Sequence, residues 1–505
     1  MKTGNLTFSN FQLAAVLTIS LFAISTILFA QSTPKPDDGD NKPATDSQLD
    51  TKQIQIDLDK ATAFNLPRIR KNLTAVSFNT PDGKRGWVMR ITGSRPIATP
   101  AYANGMIFVG GGYGSHMFYA IDAATGRVVW KMKTQDDGPT AAVVEDGYVA
   151  FNTESCTVIV AEAKTGKVIW QEWLGDPLMS QPAIFKGRLY IAYPAGQRGA
   201  QTNSSNLGPG HRMLCADLKT GRHLWEQQIT ADVISAPVIS GDQVLFTCFD
   251  GVSFCLDAST GAVVWKKENA GTSAPLVADG HVLTTTKEME DGKEYEGLKR
   301  LDLKEGKERD RKMLAKEKAG YLRPRGGGGV AMDAATVGKL DSSVGFSSAP
   351  GAAKLAEANQ HIGVSTVAGA WAYQGSRAAY RNGQMMNAQG KYLNSLKTGD
   401  GKFAWRAEVK GKGISEDTQV FSPPALGERN LYLCGAQGHL VAVKQHDGAL
   451  AFAYALKHPM AFQPALAKGN IYAGTVNGLL ICLKTGDKDA DGWYAWGGNA
   501  QHNKQ

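Results

Sequence analysis

Tyr119–Trp130 reads YAIDAATGRVVW, and its pattern, Ala-x-Asp-x-x-Thr-Gly-x-x-x-Trp, returns down the chain. Ala161–Trp170 (AEAKTGKVIW), Ala216–Trp225 (ADLKTGRHLW) and Leu256–Trp265 (LDASTGAVVW) repeat it closely. Looser copies follow at Leu301–Gly306 (LDLKEG), Leu396–Trp405 (LKTGDGKFAW), Val443–Phe452 (VKQHDGALAF) and Leu483–Gly486 (LKTG). The turn glycines read from these copies are Gly126, Gly166, Gly221, Gly261, Gly306, Gly399, Gly448 and Gly486. A recurrence of roughly forty residues with one turn in each unit is the signature of propeller blades.

Each unit carries the same signals ahead of its Thr-Gly. In the first, Pro100 precedes Ala101–Ala103, the pair Asn104-Gly105 and the apolar run Met106–Val109. Short Val-, Ile-, Tyr- and Phe-rich runs separated by Asn-Gly or Asp-Gly pairs are antiparallel strands joined by tight hairpins. Thr-Gly is a further turn, and the Trp four residues on starts an outer strand with a large apolar face for the neighbouring blade. The expected fold is all-β, an eight-bladed β-propeller of four-stranded antiparallel blades. The fifth unit, Ser273–Gly306, lacks the Trp and is the least regular.

These repeats resemble the pyrroloquinoline-quinone (PQQ) type found in quinoprotein alcohol dehydrogenases and in the propeller lipoprotein of the outer-membrane barrel assembly machinery. The resemblance covers roughly residues 80–486 and implies the fold. It implies two functions, because the same repeat serves an enzyme and a non-enzymatic scaffold.

Residues 1–30 read as a signal peptide or membrane anchor, since Phe11–Ala30 is uncharged and apolar over a bilayer-spanning length. Both readings export the rest of the chain to the periplasm or cell envelope, with membrane contact only through this segment. Residues 31–75, polar and rich in Pro, Asp and Lys at their start, read as a flexible linker, and residues 76–505 as the propeller. Asp82–Trp87 (DGKRGW) repeats the Gly-to-Trp offset, and the eighth unit has no such Trp. Gly86–Ile91 is therefore expected to supply the outermost strand of the last blade and close the ring.

Insertions are expected at about 195–210 and 307–371. The second opens with a basic run, Lys307 to Arg325, read as a solvated, partly helical excursion that could cover one mouth. In the tail, Trp493, Tyr494 and Trp496 are expected to pack on the barrel flank.

Net charge of +8 suits a protein, glycan or other anionic envelope partner. The basic residues are spread out with no recognition motif beside them, which argues against nucleic acid. The six cysteines, Cys156, Cys215, Cys248, Cys255, Cys434 and Cys482, form no Cys-x-x-Cys-His and no zinc spacing, and strand-core packing is their expected role. No cysteine precedes Cys156, which departs from the lipid-modified cysteine of the assembly lipoprotein.

The resemblance to dehydrogenases implies PQQ and a calcium ion near the axis, with adjacent cysteines over the quinone, a tryptophan floor and a catalytic aspartate. Adjacent cysteines are missing here, and Trp87, Trp130, Trp170, Trp225, Trp265 and Trp405 belong to the blade motif. Asp122, Asp217 and Asp257 are turn residues, so no catalytic residue carries over. The reading that follows is an exported non-catalytic binding or assembly scaffold, with a PQQ-dependent alcohol or sugar dehydrogenase as the alternative and a non-turnover sugar sensor as a third. Arg95 and Arg377 open two blades through the same Gly-Ser-Arg triplet, and Glu154 sits in a polar hairpin. These three are the candidates for an anion- or sugar-binding axis.

Overall fold

The computed structural model describes residues 53–504 apart from 113, 154–155, 176–179, 196–209, 232, 234–235, 249, 272, 291–292, 319–376, 400–401 and 416–419. The compact unit that contains them begins at Leu49. Its strands form eight sheets, five of four strands and three of five, and each contains an antiparallel blade of four strands running from an inner to an outer strand. Blades 1 to 7 span residues 101–133, 143–173, 183–228, 238–267, 276–318, 379–410 and 425–455; blade 8 takes 465–484 and is completed by Arg85–Arg90.

The middle strands are buried on both faces, as in Ile107–Val109 and Val158–Ala161, because every blade is sandwiched between two others. Antiparallel connection fixes the two mouths. The inner hairpins (Asn104-Gly105 and its equivalents) and the Thr-Gly turns lie at one mouth, called here the turn mouth. The loops between second and third strands, and the links from blade to blade, lie at the opposite mouth.

The repeated motif has one physical purpose, locking blade to blade. Trp130 of blade 1 donates its indole N–H to the Ala163 carbonyl of blade 2 at 2.9 Å. Trp170, Trp225 and Trp265 do the same to Leu218, Ala258 and Leu303 at 2.8, 3.1 and 2.9 Å. Trp405 reaches Gln445 at 2.6 Å and Trp87 reaches Ala123 at 3.1 Å. Each indole then lies flat over the turn glycine of the next blade. A Cβ on Gly261 (φ +75°) would sit 2.6 Å from the Trp225 ring, whereas one on Gly147 (φ +82°) would meet nothing within 4 Å. The two glycines share a backbone conformation and differ only in space. Gly147→Ala is expected to cost about 1 kcal/mol from the left-handed backbone alone. Gly261→Ala should cost roughly 1–3 kcal/mol more, because the indole must move. Equal urea midpoints for the two variants would show that the ring contact carries no strain.

Two junctions lack the Trp and use polar groups. Between blades 5 and 6, Arg300 donates to the Thr398 carbonyl at 2.6 Å, and Thr398 occupies the acceptor position of the repeat. Between blades 7 and 8, Arg429, Asn430 and Tyr432 all donate to the Asp487 carboxylate.

Several sequence expectations need correction. The backbone bonds Lys397 N–H to Lys402 and Thr398 N–H to Gly383 match those of Asp122 and Ala123 in blade 1. Gly399 thus stands one residue past the Ala123 position and is not the turn glycine of blade 6. By the same pairing, Thr485 N–H to Gly469 places Gly486 one residue past the Ala123 position, where the chain leaves the blade. Gly86–Ile91 was expected at the outer edge of blade 8. Arg85–Arg90 does pair with Leu479–Lys484, but Val76–Asn79 adds a fifth strand outside it. Residues 31–75 are not a linker throughout, because Gln53–Asp57 pairs in parallel with Phe403–Lys410 and Thr62–Ala63 with the outer strand of blade 7. These additions cover the edges of three consecutive blades with main-chain hydrogen bonds.

The basic run after Lys307 is no helical excursion where it is described, since Glu308–Lys318 forms the outer strand of blade 5. The rest of the 307–371 segment, like residues 1–52 and the core of the 195–210 insertion, lies outside the described residues. The six cysteines are all buried, in keeping with strand-core packing.

Candidate functional site

The axis of a propeller is bounded by its inner strands, whose inward edges carry unpaired amides unless something covers them. Here the chain's own tail covers them. It enters from the turn mouth, where Lys468 N–H donates to Asp491 at 3.0 Å and Gly469 N–H to Ala490 at 3.0 Å. Leu466 of blade 8 then donates to Trp493 at 2.7 Å, Tyr102 of blade 1 to Tyr494 at 2.6 Å, Ile184 of blade 3 to Ala500 at 2.8 Å and Ile239 of blade 4 to Gln501 at 3.0 Å. Val277 of blade 5 donates to the Asn503 side chain at 3.0 Å, and Gln501 donates to Glu145 of blade 2 at 3.2 Å.

The tail can coil this tightly because of its glycines. Gly497 has φ +73°, and a Cβ there would come 2.5 Å from the Arg377 guanidinium. Trp496 is 3% exposed and packs on Ala236 and Ala274, small residues that precede the inner strands of blades 4 and 5. Arg377 holds the equivalent place in blade 6. Its guanidinium carbon lies 4.2 Å from the centre of a Trp496 ring, and it donates to the His502 carbonyl. Burial pulls the guanidinium down to about 9. His502 is fully buried, with its ring nitrogens 2.7 Å from the Trp496 carbonyl and 2.9 Å from that of Pro182. Burial pulls it down to about 4, against the opposing pull of those carbonyls.

The expectation that Trp493, Tyr494 and Trp496 pack on the flank is therefore overturned: they fill the centre. Of the three candidate axial residues, Arg377 reaches the axis and is engaged by the tail. Arg95 lies over Gly114 in a loop of blade 1, where a Cβ would be in collision with its guanidinium. Glu154 lies outside the described residues. The signal that could have found the tail was present: a Trp-Tyr-x-Trp-Gly-Gly run with alanines at two inner positions able to receive a ring.

PQQ with calcium does not fit these residues. The axial volume between the inner strands is taken by Trp496, His502 and Arg377, and among the described residues no three His, Cys, Asp or Glu side chains converge as metal ligands. A cleft of about 620 Å³ lies at the turn mouth over blades 6 to 8. It is lined by Arg381, Arg429, Lys444, His446 and Asp487, with Arg429 paired to Asp487 at 3.0 Å.

The opposite mouth is where the repeats depart from regularity. The second and third strands of blade 5, His281–Glu290 and Lys293–Asp302, have ten residues each, against five and six in blade 1. The extra length carries a hairpin about 15 Å beyond the ring. The links to residues 196–209 and 319–376 leave from the same mouth.

Below it, between blades 2 and 3, His223 stands 2.9 Å from Glu172 and 2.8 Å from Glu226, and Glu226 also pairs with buried Arg212 at 2.9 Å. The two carboxylates, Glu172 foremost, raise the imidazole to about 9 against the desolvation that would lower it. A folded-state value above the unfolded one means the stabilisation is complete below about pH 6.5 and is lost as pH rises through about 9. His223→Ala should cost roughly 2–3 kcal/mol at pH 6 and little at pH 10. Denaturation of both proteins across that range checks it, and a pH-independent difference would contradict it.

A family model described as outer membrane protein assembly factor BamB matches residues 71–312 and 250–490. The chain belongs to this family. It is similar to outer membrane protein assembly factor BamB of Nitrosomonas eutropha, 22% identical over 237 residues covering 39% of this chain and 57% of that one. It is 24% identical over 229 residues to that of Burkholderia pseudomallei, covering 37% and 59%. The chain thus spans about half the length of the curated relatives it matches. Among solved structures it is like BamB from Moraxella catarrhalis, with a TM-score of 0.51 at 14% identity, covering 81% of this chain and 98% of that one. It is equally like the quinohemoprotein alcohol dehydrogenase from Comamonas testosteroni, with a TM-score of 0.50 at 13% identity, covering 85% and 80%. The likeness to both structures is one of fold alone.

Proposed function

We propose that this BamB-family propeller is an exported, non-catalytic docking scaffold of the cell envelope that takes part in assembling outer-membrane proteins. The observation that carries the reading is the axis, because the place where a quinoprotein-like chain would keep its cofactor is filled by this chain's own tail. Partners dock on the mouth that bears the blade 5 hairpin, which presents an irregular surface on a rigid ring. The partner is a protein; no residue assigns its identity, and a glycan or another anionic envelope component remains the alternative partner class.

The test is in the producing organism. Loss of the chain should lower the amount of folded β-barrel protein in the outer membrane. Cross-linkers placed on the blade 5 hairpin should capture envelope proteins, and cross-linkers on the Thr-Gly turns should not. Purified protein incubated with PQQ and calcium should neither retain the quinone nor reduce a dye with alcohols or glucose. Turnover in that assay would replace the scaffold with the enzyme.

A further inference from the structure

We infer that the axis of the propeller is a binding site for a short turn-forming peptide, and that the C-terminal tail is its resident and exchangeable occupant. This goes beyond the docking role and stands without it.

The site is built from the ring rather than from the tail. The inner-strand amides of Leu466, Tyr102, Ile184, Ile239 and Val277 point at the axis as a consequence of blade geometry, and all five donate to tail acceptors. Such a ring of donors, one from each of five blades, accepts a coiled segment whose carbonyls face outward at the same positions. Side chains supply specificity. Ala236 and Ala274 leave an indole-sized space, Arg377 covers the ring that fills it, and Gln463 accepts the Gly497 N–H at 3.0 Å. The glycine at 497 is required, because Arg377 leaves no room for a Cβ. The ligand class is therefore a turn-forming segment with a Trp followed by two glycines, both of which take positive φ in the tail.

The resident tail fits this site incompletely. Thr99 Oγ1, Gln181 Oε1, Arg377 Nε and Trp493 Nε1 are buried and have no hydrogen-bond partner among the described residues. Thr99 and Arg377 are only 3% and 6% exposed, and Thr99, Gln181 and Arg377 all stand at the position just before an inner strand. Buried polar groups left unmatched are costly. A segment that also met Thr99, Gln181 and Arg377 of the ring would hold the axis more firmly than the tail does. The tail is also joined to the ring by a short exposed link at Lys488, so it can leave without disturbing a strand.

The experiment keeps the whole chain. A protease site is inserted after Lys488, the protein is folded intact, and the link is then cut. The cut tail should stay bound through gel filtration and should exchange with a labelled peptide of sequence Asp491–Gln505. The same peptide with Trp496→Ala should compete roughly thirtyfold less well or worse, as expected for loss of a buried aromatic anchor, and a scrambled peptide should not compete. A cut tail that never exchanges, even in mild urea, would make it a permanent structural element and overturn the inference. So would a tail that leaves without the peptide taking its place, or exchange seen only between tails of two copies in a swapped dimer. If the inserted site prevents folding, hydrogen exchange on the unmodified chain decides. The amides of Ile184 and Ile239 should slow when excess peptide is added, and unchanged rates would again overturn the proposal.

Discussion

Trp87→Ala is expected to destabilise the propeller by about 3–5 kcal/mol, the range for deleting a buried large aromatic side chain. Trp87 is 3% exposed, bonds Ala123 across the junction of blades 8 and 1, and packs against Tyr472 with ring centres 6.4 Å apart. No other junction joins parts so distant in sequence, since Trp87 pairs with Cys482 in register. The turn before it adds a polar latch. Tyr454 of blade 7 donates to Asp82 at 2.7 Å, and Lys84 and Thr80 donate to the same carboxylate. Burial alone would raise that carboxyl, but these hydrogen bonds, that of Lys84 foremost, pull it well below the usual range. Removing Asp82–Thr92 should therefore open the ring, expose the third strand of blade 8, and produce aggregation. Removing residues 32–52 should leave the melting temperature where it was. Equal tolerance of the two deletions would show that the ring closes without its N-terminal strand.

The blades were legible in the sequence because each unit states its own turn chemistry and its own interlocking Trp. Where a unit drops the Trp, the sequence falls silent about what replaces it. Arg300 takes over one indole's hydrogen bond from a different strand and from a position outside the motif. No local pattern announces that. The Thr-Gly of blades 6 and 8 misled for a related reason: LKTG matches the motif letter for letter, but hydrogen-bond register, set by the inner hairpin, puts the turn elsewhere. The edge strand at Gln53–Asp57 carries a local signal, the alternation Gln-Ile-Gln-Ile that buries Ile56 in the core, whereas Thr62–Ala63 is an exposed two-residue pairing that needs only main-chain groups and has none. The axial candidates fared unevenly. Arg377 was picked for its triplet and reaches the axis, but the Gly-Ser-Arg pattern it shares with Arg95 does not mark an axial position, because the two triplets stand at different distances from their inner strands.

Deletion of Asp491–Gln505 should have the largest effect of all, lowering stability by about 6–10 kcal/mol if the two buried tryptophans contribute in full. Trp493 is 2% exposed and Trp496 3%, and the segment also covers the amides of five inner strands. Water entering the emptied axis would satisfy those amides, so the main loss is the apolar burial and not the hydrogen bonds. That separates two outcomes. If the tail is chiefly an apolar plug, Trp496→Ala should reproduce a large share of the deletion's effect, and His502→Gln a small one. If hydrogen bonding to the inner strands dominates, the order should reverse, because the His502 side chain joins the tail to Pro182 of blade 3 while the Trp496 side chain acts through its ring contacts. Urea denaturation followed by circular dichroism at pH 7 orders the three variants. A deletion that unfolds at the same urea concentration as the full chain would mean the inner strands hold their ring without any occupant.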